Sequence, residues 1–345
     1  MPHRATYIFG AVFALAFLAF ACDRAPNQPD AAGAAGAATQ PSRQLPLLVA
    51  TTPMVGDVVS AVAGAHAKVV VLIGPGVDPH LWTPTRTDVL EILDADAVFL
   101  NGLMLEGRVG DSFARVETAG RPVLRLAQSI DRKELLTDPK RASYFDPHVW
   151  MDPTLWAMTA APIAELLAKL DPQHADEFHA NADRYEARAH ALADECAQLI
   201  SSIPSEHRTL VSAHDAFAYF GKRFGLEVYG IQGLSTESEA SIADIENLVA
   251  HISSKHVPTA FVETTVSDRT IRALVEGCAS IGHELKIGEP LYSDSMGRAS
   301  TPEGSWEGMI RHNARVIAAS LGGDNVGGHN VGAQNFGSQP SGGKR

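Results

Sequence analysis

The sequence predicts an α/β fold in two lobes, each with a central, mostly parallel β-sheet flanked by helices, joined by one long rigid helix. Three observations carry this. Short, continuous apolar strands alternate with helical patterns in both halves of the chain, as in parallel sheets covered on both faces. About 280 residues read as folded, which is large for one core and suits two. Between the halves runs one uninterrupted amphipathic pattern over residues 173–203.

In the first half, Leu47–Thr52 (LLVATT) is an apolar strand and Met54–Ala63 a helix. Val69–Ile73 (VVVLI) is a second strand that enters the turn Gly74-Pro75-Gly76. A helix over Thr85–Leu93, a strand over Ala97–Asn101 and an edge strand over Val123–Leu126 follow, then a helix over Pro153–Leu170 ended by Asp171-Pro172. The long pattern, Gln173 to Ile203, stops at Pro204. Its apolar positions, among them Phe178, Ala182, Tyr185, Ala189, Leu192, Cys196 and Leu199, recur mostly every three or four residues with Glu and Arg between. At about 1.5 Å per residue it would run roughly 45 Å, a stiff connector. The second half repeats the alternation, with strands at Thr209–Ser212, Glu227–Gly230, Ala260–Glu263 and Glu284–Ile287. Helices are expected at Ala216–Phe224, Ser241–Lys255, Ser267–Cys278 and Trp306–Leu321.

The ends read differently. Residues 1–22 pair a basic start, His3 and Arg4, with an apolar run from Tyr7 to Ala21, too short to span a membrane comfortably and suited to an export signal. Two processing readings stay open: cleavage after Ala19-Phe20-Ala21, or lipidation of Cys22, which follows the apolar run directly. The lipoprotein reading is preferred, because residues 23–44, rich in Ala, Gly, Pro and Gln, make a disordered stalk that would tether the protein. The domain reading is therefore signal 1–22, stalk 23–44, first lobe 45–171, linking helix 172–204, second lobe 205–322 and a loose Gly-rich tail 323–345 with His329. Cys196 and Cys278 read as small buried hydrophobes sooner than as a disulfide. A net charge of −12 argues against nucleic acid and is compatible with a cationic ligand.

Four segments carry the chemistry: VDPHLW, FDPHVW, SAHDAF and YSDSM, offering His80, His148, His214 and Asp294. Three imidazoles and a carboxylate form a complete set of ligands for a transition-metal ion. Each lies in a loop after or near a strand, where ligands of parallel sheets collect. The Asp-Pro-His-(Leu/Val)-Trp pattern occurs twice, its prolines restricting the approach to each histidine. Asp78, Asp146, Asp215 and Glu263 are candidates to orient these groups from behind. Most of the other eleven histidines read as surface or structural residues.

These segments resemble the metal-specific solute-binding proteins of bacterial ABC importers. The similarity covers almost all of Leu47 to Leu321 and includes GPGVDPHLWTPTRTDV, NGLMLE, DPHVWMDP, HDAFAYFGKRFGL, YSDSMG and GMIRHN. The resemblance implies an exported, non-enzymatic monomer outside the inner membrane. It would hold one Mn2+, Zn2+ or Fe2+ on His80 and His148 from one lobe and His214 and Asp294 from the other, and deliver it to a membrane permease. The stretch Gly107 to Asp146 lacks the histidine-rich loop frequent in zinc-homeostasis members, which favours Mn2+ narrowly over Zn2+. A zinc-specific carrier is the alternative, a secreted metallohydrolase or an adhesin-like lipoprotein the remoter ones. No HExxH or comparable base-bearing motif is present for catalysis. Because neutral imidazoles are needed, affinity is expected to fall below roughly pH 6.

Overall fold

The computed structural model describes residues 45–323 apart from 108, 109, 139 and 140. The expected signal with Cys22, the stalk and the tail with His329 lie outside the described residues.

In the first lobe, β1 (Leu47–Ala50), β2 (Lys68–Val71), β3 (Ala97–Leu100) and β4 (Val123–Arg125) form one parallel sheet in the order β2-β1-β3-β4. Successive strand residues point to opposite faces. Leu48, Ala50, Ala97 and Phe99 therefore enter the main core beside α1 (Pro53–Ala63). Val49, Val98 and Leu100 enter a smaller core with Ile92 of α2 (Arg86–Asp94) and with Phe113 and Val116 of α3 (Gly110–Thr118). Burial on both faces is why these strands read as unbroken apolar runs. Helix α1 starts on Thr52, whose Oγ1 accepts the Val55 N–H at 3.3 Å, with Pro53 in the first turn.

Two features of the first lobe were not expected. The stretch after Gly107 holds α3 and an antiparallel hairpin, β5 (Thr137–Asp138) and β6 (Arg141–Phe145). The helix expected over Pro153–Leu170 is two pieces, α4 (Pro153–Ala157) and α5 (Ala160–Leu170). Pro162 lacks the N–H that would bond back to the Met158 carbonyl, and the Thr159 hydroxyl and N–H both donate to the Trp156 carbonyl, at 2.7 and 3.0 Å.

Helix α6 (Ala175–Ser201) follows, about 40 Å of rod at ~1.5 Å per residue. Its buried stripe, from Phe178 through Ala182, Tyr185, Ala189, Leu192 and Cys196 to Ile200, belongs to the main core. That core is continuous with Phe217 and Phe220 of the second lobe. The second lobe carries two parallel pairs, β7 (Thr209–His214) with β8 (Glu227–Gln232), and β9 (Thr259–Glu263) with β10 (Lys286–Leu291). Helices α7 (Ala218–Phe224), α8 (Ile242–Ser254) and α9 (Arg269–Ser280) flank them, and α10 (Trp306–Ser320) closes the fold against α6 and α1. The chain is thus a two-lobed α/β protein with mostly parallel strands, linked by a long helix. Cys196 and Cys278 are free, buried thiols in separate cores. Among the described residues no helix is long and apolar enough to cross a membrane.

Candidate metal centre

His80 lies in the loop after β2, entered through Gly74-Pro75-Gly76, where Gly76 takes a left-handed φ of 76°. Asp78 Oδ1 accepts the His80 backbone N–H at 2.8 Å. The second copy of the motif repeats this turn, Asp146 Oδ1 accepting the His148 N–H at 2.9 Å, and adds a contact of 2.6 Å to His148 Nδ1. His214 ends β7 and Glu263 ends β9. Glu263 Oε1 accepts the His214 N–H at 2.8 Å and Oε2 lies 2.6 Å from its Nδ1. A carboxylate on Nδ1 fixes the proton there and turns the Nε2 lone pair inward.

The four Nε2 and carboxylate groups converge. Asp294 Oδ2 lies 3.1 Å from His214 Nε2 and 3.5 Å from His80 Nε2, and Oδ1 lies 3.4 Å from His148 Nε2. His80 and His148 bring their Nε2 atoms to 3.4 Å. One ligand atom from each of the four lies within 4.8 Å of the others, and all four residues are buried, His80 at 5% exposure and the rest at 0%. His214 Nε2 and both Asp294 oxygens are buried without a hydrogen-bond partner among the described residues. Such orphaned lone pairs are costly unless a cation or proton meets them.

The electrostatics are unequal. Burial pushes the His80 imidazole down to about 3, against the pull of Asp294. Burial acts the same way on His148, but the Asp146 carboxylate at Nδ1 and Asp294 beyond Nε2 win, and it is raised to about 9. His214 is raised well above its ordinary range as Glu263 and Asp294 overcome its burial. Asp294 is held well below the usual carboxylate range, burial notwithstanding, by His214 and His148. Without a metal, the centre favours protons on two imidazoles and a charged carboxylate.

Glu263 thus stands directly behind His214. Asp215 does not stand behind an imidazole in the same way: no hydrogen bond joins its carboxylate to the four residues among the described residues. Burial and then the Asp146 carboxylate push it up to about 6.

Other supports went unrecognised in the sequence. Asn101, at the end of β3, donates from Nδ2 to the Pro147 carbonyl at 2.9 Å, pinning the loop that carries His148. Glu106, buried, accepts from Thr51 Oγ1 at 2.6 Å and from the backbone of Asn101 and Gly102 at 2.8 and 3.1 Å. It thereby closes a turn in which Leu103 and Met104 take positive φ of 52° and 69°, a strained conformation for such residues. Trp150 Nε1 donates across the lobes to the Ser293 carbonyl at 2.9 Å, and Trp306 Nε1 donates to the Trp150 carbonyl at 3.0 Å. Tyr219 OH donates to the Asp146 carbonyl at 3.1 Å. The segment NGLMLE and the two tryptophans were the available signals. At Gly230, β8 passes so close to β7 that a Cβ would lie 2.4 Å from Asp215 N and 2.6 Å from the His214 carbonyl carbon.

Two α/β lobes on a stiff helix, meeting over three imidazoles and one carboxylate, define a class of protein: a binding protein for a divalent metal ion. Residues 48–320 match the family described as the periplasmic component A of zinc-uptake complexes, ZnuA, and the chain belongs to that family. Its members are non-catalytic, metal-binding solute-binding proteins of ABC importers, with a cognate membrane permease. Among relatives, the manganese-binding lipoprotein MntA of Bacillus subtilis is 40% identical over 274 residues, covering 79% of this chain and 89% of its own. The zinc-binding protein TroA of Treponema pallidum is 38% identical over 276 residues, covering 80% and 89%. Its solved structure superposes with a TM-score of 0.77, covering 80% of this chain and 99% of its own. Fe(III)-bound YtgA from Chlamydia trachomatis, 28% identical, superposes with a TM-score of 0.74 over 81% of this chain and 99% of its own.

Proposed function

We propose that His80, His148, His214 and Asp294 together hold one divalent transition-metal ion as cargo. The protein, held at the outer face of the inner membrane by a lipid on Cys22, hands that ion to its permease. The observation that carries this reading is the convergence of one ligand atom from each of four buried residues to within 4.8 Å of one another. A cation between them, once it displaces the imidazole protons, meets all four groups at once. Four protein ligands leave no position for an activated water, which suits carriage rather than hydrolysis.

Mn2+ is placed narrowly ahead of Zn2+, with Fe2+ a further candidate. Asp294 turns one oxygen toward His148 and the other toward His214 and His80, so it can coordinate through both, and a fifth donor atom accommodates Mn2+ or Fe2+. The zinc-specific reading draws on the three imidazoles, which suit tetrahedral Zn2+. The relatives divide likewise, MntA being named for manganese and TroA for zinc.

The test is the metal content of protein purified without chelator from its native compartment, followed by competition between Mn2+ and Zn2+. One equivalent of Mn2+ is expected, lost in Asp294→Ala, and Cys22→Ala should move the protein to the soluble fraction. Full metal occupancy in Asp294→Ala would refute the ligand set, and stoichiometric Zn2+ in the native protein would favour the zinc reading.

A further inference from the structure

His80 differs from its two companions. Nδ1 of His148 and of His214 each faces a carboxylate at 2.6 Å, whereas no hydrogen bond reaches Nδ1 of His80 among the described residues. A carboxylate on the far nitrogen fixes ring orientation and strengthens the donor, so His80 is the weakest imidazole of the three. Its backbone is also the least embedded. His148 sits beside Trp150 and Asp146, which are bonded to the Ser293 carbonyl and to Tyr219, and His214 ends a fully buried strand. Half of the loop bearing His80, residues 74–85, is exposed, including Val77 at 41% and Leu81 at 46%.

Two hydrogen bonds fasten this loop to the second lobe. Thr236 Oγ1, on the connection between β8 and α8, donates to Asp78 Oδ2 at 2.5 Å, and the Gly76 N–H donates to Ser295 Oγ at 2.8 Å. Asp78 Oδ1 meanwhile holds the His80 peptide N–H at 2.8 Å. One carboxylate therefore ties the second lobe to the backbone of a ligand. If that tie opens, the ion keeps His148, His214 and Asp294 and loses its most weakly supported donor.

Resting on the carrier reading above, we propose that Thr236, acting through Asp78, is the positioning residue that keeps His80 on the ion, and that release begins at this latch. Thr236 is half-buried and its hydroxyl bonds to Asp78, not to a ligand side chain, so it bears on the ion only through Asp78 and the His80 loop. The latch acts on the rate of departure.

The experiment uses the full chain, Co2+ as the probe for its visible absorption, and stopped-flow mixing of the loaded protein with excess chelator. Wild-type protein is compared with Thr236→Val, which keeps the shape and removes the hydroxyl, and with Thr236→Ser, which restores it. Thr236→Val is expected to release Co2+ about tenfold faster, the effect of losing one hydrogen bond to a charged group, with Thr236→Ser within about twofold of wild type. The spectrum of the loaded protein should stay as in wild type. Release from Thr236→Val within about twofold of wild type would overturn the proposal. Equal acceleration in Thr236→Ser, or an altered loaded spectrum, would overturn it as well, by removing the hydroxyl or the intact ligand set from the explanation. Wild-type protein that takes up no Co2+ would overturn the carrier reading itself, an outcome seen before any variant is compared.

Discussion

The ligand side chains compete with protons before they compete with water. His148, raised to about 9, and His214, raised well above its ordinary range, carry protons at neutral pH that an incoming ion must expel. The loss of affinity expected from free imidazole near pH 6 therefore moves upward: binding should weaken steadily as pH falls from about 9. In the metal-free protein the sign is opposite. A raised folded-state pKa stabilises fully below the unfolded value of about 6.5, and that stabilisation is lost as pH rises through about 9. The gap in melting temperature between metal-bound and metal-free protein should thus widen from about pH 6 to about pH 9. A gap independent of pH, measured by calorimetry, would contradict this assignment of protons. At this scale the twin Asp-Pro-His pattern pointed to two of the four residues, and the strand-end Glu263 to a partner. Asn101 and Glu106 were not legible as supports, because their roles depend on Pro147 and Thr51, far away in sequence and adjacent only after folding.

Secondary-structure elements reach the centre at their ends, and their spacing sets its precision. β7 and β9 end on His214 and Glu263, so the register between the strands of the second lobe aims the imidazole. Gly230 is the tightest point of that register. Gly230→Ala should push the His214–Asp215 backbone away, destabilise the fold by about 1–3 kcal/mol as overpacking does, and weaken metal binding with it. Chemical denaturation alongside metal titration measures both; wild-type stability and affinity together would show that β7 yields without moving His214. Strands were readable because burial on both faces leaves unbroken apolar runs. The hairpin β5–β6 was not, since most of β6 is exposed and gives no apolar run. Nor was the break between α4 and α5, which turns on a single missing N–H at Pro162.

Over the whole molecule, α6 governs what the lobes can do. It packs against α1, α4, α5, α7 and α10, so a wide hinge would have to break its buried stripe. We expect opening to be confined to loops such as the one bearing His80. Small-angle scattering should show no resolvable change in radius of gyration between metal-free and metal-loaded protein; a clear expansion on metal removal would contradict a rigid α6. The long amphipathic repeat made this helix legible from spacing alone. That the main core runs through both lobes was not, because a buried stripe does not say which partners bury it.

The position of α10 has a consequence for how the chain comes to be folded. Trp306, at the start of this last helix, donates its backbone N–H to Asp57 of α1 at 3.3 Å and its indole N–H to Trp150, and Arg311 pairs with Glu195 of α6 at 2.9 Å. The earliest helix is therefore finished by the latest. In a chain emerging from its N-terminus, α1, α4 and α5 precede α6 and can cover it at once, but the surface that α10 covers waits until nearly the whole length is available. Its full core forms only as the last helix arrives.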